Sequence, residues 1–129
     1  MRVAYLDASW VVAIALGESG HERLEVETER HDRRFSSGLL EAELWSACRR
    51  EGVPRHADLL SGVHWVLPDR PLSAELGTVL DAGYVRGADA WHLACALFLA
   101  GGSPGLAFLT LDHAQGDVAR ALGFETPLP

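Results

Sequence analysis

The chain has 129 residues, a length that suits one domain and is too short for two of ordinary size. All 11 basic residues are Arg, and the absence of Lys excludes P-loop ATPases, protein kinases and Schiff-base enzymes, which each need a Lys side chain. The net charge is −7, so the chain lacks the excess of basic residues that is usual for nucleic-acid-binding proteins.

Short apolar strands alternate with helices along the chain. We expect strands at residues 2–6, 34–36, 63–67 and 106–111, and a short closing segment at 124–128. Helices are expected at 10–16, 20–30, 38–50, 55–60, 71–83, 89–100 and 112–121, with Ser9 and Ser37 as caps and a solvated, highly charged helix at 20–30. This order predicts one α/β domain over residues 1–129, with a mainly parallel central sheet flanked by helices.

Residues 90–111 carry no Asp, Glu, Arg or Lys, a length that approaches a membrane span. The segment Gly-Gly-Ser-Pro-Gly at 101–105 interrupts this run, so we expect a buried helix, a turn and a buried strand, with no contact to membrane. Asp7 interrupts the N-terminus before the apolar core of a signal peptide could form. Cys48 and Cys95 lie in apolar runs and are expected to be buried free thiols, although a disulfide between them is the alternative. Free thiols are typical of a reducing compartment, so a cytoplasmic location is favoured.

Four acidic residues occupy positions that we expect to be buried. Asp7 and Asp112 follow buried strands, Glu43 falls inside an apolar helical stripe, and Asp89 begins another such stripe. Taken singly, Asp7, Asp89 and Asp112 are explained as helix caps, and Glu43 by a buried pair with Arg.

Together the four acids can converge at the carboxyl edge of the sheet, where α/β proteins bind ligands. Carboxylates in one pocket repel one another and need a hard divalent cation, and oxygen-only ligands suit Mg²⁺, with Mn²⁺ as the alternative. Zinc is disfavoured because the chain has no Cys pair and no His-Glu-x-x-His motif. His92 and His113, beside the acids, are interpreted as surface or supporting residues. Magnesium held by carboxylates is typical of phosphoryl chemistry.

Four segments contain these acids: Tyr5–Ser9, Leu40–Leu44, Asp89–Ala94 and Phe108–Asp112. The third reads Asp-Ala-Trp-His-Leu-Ala and matches the signature Asp-Ala-x-His-Leu-Ala of the PIN-domain family. In order and spacing the four segments resemble that family over nearly the whole chain, and within it the VapC-type ribonuclease toxins of toxin–antitoxin pairs. One mild departure is Ala8, where a Thr is common.

The resemblance implies a magnesium-dependent endoribonuclease that hydrolyses RNA phosphodiester bonds. It also implies a homodimer and a cognate antitoxin that silences the enzyme. Asp7 and Asp89 would be the main catalytic metal ligands, Glu43 and Asp112 would complete the site, and Ser9 and Thr110 would support it.

Two alternatives stay open, a catalytically silent PIN-like interaction module and an RNase H-like carboxylate nuclease. The charged helix expected after Asp7 argues against the second. Haloacid-dehalogenase-like phosphatases are excluded because position 9 is Ser and their Lys is missing.

Two further sets of residues concern partners, and each has two interpretations. A group of Arg residues forms either a basic rim for RNA or a solvated face. Its members are Arg33, Arg34, Arg49, Arg50 and Arg55. The Trp residues form either an antitoxin interface or part of the core. They are Trp10, Trp45, Trp65 and Trp91, of which Trp45 and Trp91 are expected to point away from the neighbouring acids.

Overall fold

The computed structural model describes residues 1–102 and 105–127, and its four strands form one sheet in which all pairs run parallel. The predicted α/β architecture with a parallel sheet is confirmed. In chain order the elements are β1 (Val3–Leu6), α1 (Ala8–Ala15), α2 (His21–Glu29), β2 (Arg33–Ser37), α3 (Gly38–Glu51), β3 (Val63–Val66), α4 (Ser73–Ala82), α5 (Gly87–Ala100), β4 (Ala107–Leu109) and α6 (His113–Ala121). The strand order is β3-β2-β1-β4. The predicted turn at Ser103 and Pro104, and Leu128 of the closing segment, lie outside the described residues.

Alternate residues of the central strands face two separate cores. Tyr5 lies opposite Phe108 across the β1–β4 pair, and both pack into the core formed with α4, α5 and α6. Leu6 lies opposite Leu109, and both pack into the core formed with α1 and α3. The sheet is therefore covered on both faces by helices, and its carboxyl edge is where side chains from both layers can meet.

Two helices begin earlier than the sequence predicts. The first was expected at residue 10 with Ser9 as its cap, but α1 begins at Ala8 and Asp7 is its N-cap, since the Asp7 carboxylate accepts the Ser9 N–H. The helix expected from Asp89 begins at Gly87, so Asp89 lies in its first turn. Ser37 does hold the N-cap position of α3, but its hydroxyl makes no capping bond.

The strand predicted over 106–111 is shorter than expected. Its ladder ends where the Asp7 N–H donates to the carbonyl of Leu109 at 3.0 Å. Beyond that point the N–H of Leu111 donates to Ser9 Oγ, so a side chain takes the place of the neighbouring strand. The helix predicted over 55–60 is a single 3-10 turn at Ala57–Leu60. The closing segment contributes one bridge, between Ala107 and Glu125.

The charged helix α2 is less solvated than predicted. Glu27 is 4% exposed, and its carboxylate lies 3.2 Å from both His31 Nε2 and Arg30 Nη1. His31 is also buried, so this face of α2 packs inward through an acid–base pair where an apolar contact would be usual. The sequence pattern does not predict this buried pair, because charged residues at helical spacing are typical of a solvated face.

Cys48 and Cys95 are both buried free thiols, as predicted. Burial raises the pKa of the Cys95 thiol to about 11. Within the described ranges, no helix is both long and apolar enough to cross a membrane.

The Trp residues do not form one surface. Trp10 is fully buried, which confirms the core interpretation for that residue. Trp45 and Trp91 are half-buried against the two cores, and Trp65 is 38% exposed.

Two glycines at α4 give a matched test of this packing. A Cβ added at Gly83 would lie 2.9 Å from Cγ2 of Val118, whereas a Cβ added at Gly77 would meet nothing within 4 Å. We expect Gly83→Ala to lower the free energy of unfolding by about 1–3 kcal/mol, because Val118 is stiff and buried. Gly77→Ala should raise it by about 0.5–1 kcal/mol. Urea denaturation measures both, and equal stability of Gly83→Ala and the unsubstituted protein would contradict this account of the packing.

Candidate metal centre

Asp7 lies at the junction of β1 and α1 and is 3% exposed. Its Oδ2 accepts the Ser9 N–H at 2.9 Å and the Ser9 hydroxyl at 2.6 Å, and the Thr110 hydroxyl lies 3.5 Å away. Its Oδ1 accepts the side-chain amide of Gln115 at 3.0 Å. These donors compensate the burial of the Asp7 carboxylate, so the cap explanation considered from the sequence holds for Asp7.

Gln115 connects three of the elements at this edge. It is completely buried on α6, and its amide nitrogen reaches both the Asp7 carboxylate and, at 3.3 Å, the carbonyl of Asp89. Its amide oxygen accepts the Thr110 hydroxyl at 2.7 Å. Sequence analysis missed this residue, although Asp112 and Gln115 have the spacing of a capping box.

His92 makes the corresponding connection from α5. It is completely buried, so the surface interpretation of this residue is wrong. Its Nδ1 lies 2.7 Å from the Tyr5 hydroxyl, and its Nε2 lies 2.7 Å from Glu43 Oε1 and 4.0 Å from Asp7 Oδ1. Burial raises the pKa of Tyr5, so its hydroxyl keeps the proton that it can donate to Nδ1. Through these two contacts the His92 ring joins the Tyr5 hydroxyl to Glu43.

Glu43 has no Arg partner within the described residues, so the buried Arg pair considered from the sequence is wrong. His92 takes that place, and the Glu43 side chain is 33% exposed.

Asp112 and Asp89 line one cleft of about 330 Å³, together with Tyr84, Val85, Arg86 and Ala114. Asp112 is the N-cap of α6, since its Oδ1 accepts the Gln115 N–H at 2.8 Å. Asp89 is partly buried, and burial raises the pKa of its carboxyl group, with the charges of Asp7, Asp112 and Glu43 adding to the effect. The other three predicted acids are thus close enough to Asp89 for their charges to act on it. His113, by contrast, is exposed.

In residues 1–102 and 105–127, no group of three or more His, Cys, Asp or Glu side chains is arranged to hold a metal ion. Three of the carboxylates contact protein groups instead, since Asp7 accepts from Ser9 and Gln115, Asp112 caps its own helix and Glu43 contacts His92. A cation would require these carboxylates to turn toward a common centre. The donor set itself fits a hard divalent cation, since it consists of carboxylate oxygens whose mutual repulsion a cation would relieve.

The family model for the PIN domain matches residues 4–121. The chain belongs to the PIN-domain family. PIN domains are generally nucleases and typically use divalent metals, so the chain is placed among hydrolases that act on nucleic acids. No curated protein matches the chain. That the domain extends over all of 1–129 stays a prediction.

The PIN match argues against the RNase H-like alternative, and so do the helices α1 and α2 that follow Asp7 directly.

Of the basic rim considered from the sequence, Arg33 does not lie at this PIN-domain site. Arg33 pairs with Val3 in the sheet register, at the opposite end of β1 from Asp7, which is a separation of about 13 Å along the strand. Arg49 and Arg50 lie in the last turn of α3, whose first turns carry Glu43. The Arg side chain that lines the cleft is Arg86, which sequence analysis did not single out.

Substitution to Asn should have opposite effects at Asp7 and Asp89. Asp89→Asn removes a charge that the folded state disfavours, so the free energy of unfolding at pH 7 should rise, by about 0.5 kcal/mol at this partly exposed site. Asp7→Asn removes an acceptor of charge-assisted hydrogen bonds and should lower stability by about 1–3 kcal/mol. Urea denaturation in excess chelator measures both. A rise for Asp7→Asn, or a fall for Asp89→Asn, would contradict the assigned contacts.

Proposed function

We propose that the chain is a magnesium-dependent endoribonuclease and the toxin component of a toxin–antitoxin pair. Asp7, Glu43, Asp89 and Asp112 would form the catalytic metal site, with Mn²⁺ as the alternative cation. The observation that carries the proposal is that Asp89 and Asp112 line one cleft of a PIN domain, and that Gln115 joins the Asp89 carbonyl to the Asp7 carboxylate. Carboxylates gathered at one edge of a sheet are typical of sites for hard cations.

Each protein group has a distinct part in this proposal. Asp7 and Asp89 would be the main ligands, with Glu43 and Asp112 completing the set. Ser9, Thr110 and Gln115 hold the Asp7 carboxylate through hydrogen bonds, and His92 holds Glu43. A bound Mg²⁺ would supply the activation of water and the stabilisation of charge on the phosphate. The chain's own contribution is to keep the four carboxylates at one edge.

A catalytically silent interaction module remains the second candidate. The observation in its favour is that the carboxylates are engaged by protein donors rather than arranged around a common centre. Against it, all four acids are present although their repulsion is costly, and an interaction module would not need that cost.

Cleavage of total RNA tests the enzyme directly. We expect fragments in the presence of Mg²⁺ or Mn²⁺ and none in excess chelator. Asp89→Asn should reduce the cleavage rate by at least a factor of a hundred while retaining the fold by circular dichroism. Arg33→Ala, at the opposite edge of the sheet, is the control and should cleave at the normal rate. Undiminished cleavage in chelator would refute the metal mechanism.

Metal binding can be measured without activity. Mg²⁺ or Mn²⁺ that binds only the folded protein should stabilise it by about 2.7 kcal/mol at a concentration one hundred times Kd. This stabilisation should raise Tm by several degrees. Asp89→Asn should lose most of the rise, and Arg33→Ala should keep it. The silent module predicts no metal-dependent shift in any of the three proteins.

The proposed partners are a cognate antitoxin and a second copy of the chain. Both follow from the resemblance to VapC-type toxins, and exposed apolar side chains such as Leu67 and Leu80 offer area for contact. Co-expression with the adjacent open reading frame should yield a complex and restore growth. Light scattering of the purified chain should give twice the monomer mass. Absence of both complex and growth rescue would remove the support for an antitoxin.

A further inference from the structure

The short connection between α4 and α5 is held firmly against the body of the protein. Gly83 packs so closely against Val118 of α6 that a Cβ there would come within 2.9 Å. Val85 is 5% exposed and belongs to the core that covers one face of the sheet. This connection, residues 83–86, is therefore anchored at two of its four positions.

The two remaining side chains of this connection point outward. Tyr84 is 82% exposed, the second largest exposed fraction among the large apolar and aromatic side chains of the described ranges. Arg86 is exposed as well, and across residues 1–102 and 105–127 neither side chain has a hydrogen-bond or ion-pair partner. Both line the cleft of about 330 Å³ that also contains Asp89 and Asp112.

The Tyr84 ring and the Arg86 guanidinium are groups of the kind that bind nucleotides. Bases of single-stranded nucleic acids stack on aromatic side chains, and Arg binds their phosphates. The cleft volume lies at the lower end of the range for small-ligand sites. Arg33 lies toward the opposite edge, whereas Arg86 lines the cleft and can offset the acids during binding of a polyanion.

We propose that Tyr84 stacks on one unpaired base of the substrate and that Arg86 holds a phosphate next to it, beside Asp89 and Asp112. The inference rests on the proposed nuclease function and adds two residues that bind its substrate. A base inside a duplex is stacked on its neighbours and cannot stack on Tyr84, so this contact requires an unpaired base. Both residues bind the substrate and take no part in the bond cleavage.

Binding is measured with a fluorescent single-stranded RNA decamer of mixed sequence and with the same decamer annealed to its complement. Fluorescence anisotropy is recorded in the Asp89→Asn background with Mg²⁺, and a gel verifies that the RNA stays intact. Tyr84→Ala should raise Kd for the single strand at least five-fold, with little change for the duplex. Tyr84→Phe keeps the ring and should bind normally. Tyr84→Leu keeps apolar volume without the ring and should bind as weakly as Tyr84→Ala.

Salt dependence separates the role of Arg86 from general loss of structure. Arg86→Ala should reduce the slope of log Kd against log salt concentration by about 0.7, the value expected for one phosphate contact on a single strand. Arg86→Lys keeps the charge and should restore the slope. Arg33→Ala, an exposed Arg at the opposite edge, should leave it unchanged.

Unchanged Kd and salt slope in Tyr84→Ala and Arg86→Ala would overturn this inference and leave the nuclease proposal untouched. The inference would also fall if Tyr84→Ala lost the co-expressed antitoxin while binding RNA normally, because the surface would then serve a protein partner. RNA binding that depends on both residues, in a protein whose unsubstituted form cuts no RNA, would support the inference and refute the nuclease proposal.

Discussion

The burial of one carboxylate, that of Asp7, organises the carboxyl edge of the sheet. Asp7 ends β1, caps α1 and is bound by Ser9 from α1 and by Gln115 from α6. Because a buried charge is costly unless donors surround it, the elements that supply these donors must be in place together. The Asp7 carboxylate thereby links the junction of β1 and α1 to α6.

The remaining acids bring further negative charge to this edge, and these charges repel one another. Burial and the charges of the other acids raise the pKa of Asp89. The cleft beside Asp89 also contains one cation, Arg86. The proposed metal site would explain this cost, since a site that is unfavourable when empty gains more from binding a cation. The net charge of −7 is then a weak argument against nucleic-acid binding, because four of the negative charges belong to the proposed metal site.

The sequence predicted the helices and strands correctly wherever the apolar pattern was long. The predicted ends were wrong where a side chain takes the place of a backbone hydrogen-bond partner. The early start of α1 depends on the Asp7 carboxylate, and the early end of β4 depends on the Ser9 hydroxyl. Both substitutes are polar side chains brought close by the parallel register of β1 and β4. A pattern of hydrophobicity along one segment carries no information about such a register.

The sequence by itself determined the α/β class, the parallel sheet and the family, because strand and helix periodicities and the order of short motifs can be read along the chain. Only the tertiary structure decided which residues surround these acids. It brought Gln115 and His92 into the site as buried partners, and it placed Tyr84 and Arg86 at its rim while separating Arg33 from it. The physical reason is that hydrogen bonds and charge interactions act across distances of a few ångströms in space, between residues as far apart in the chain as Asp7 and Gln115.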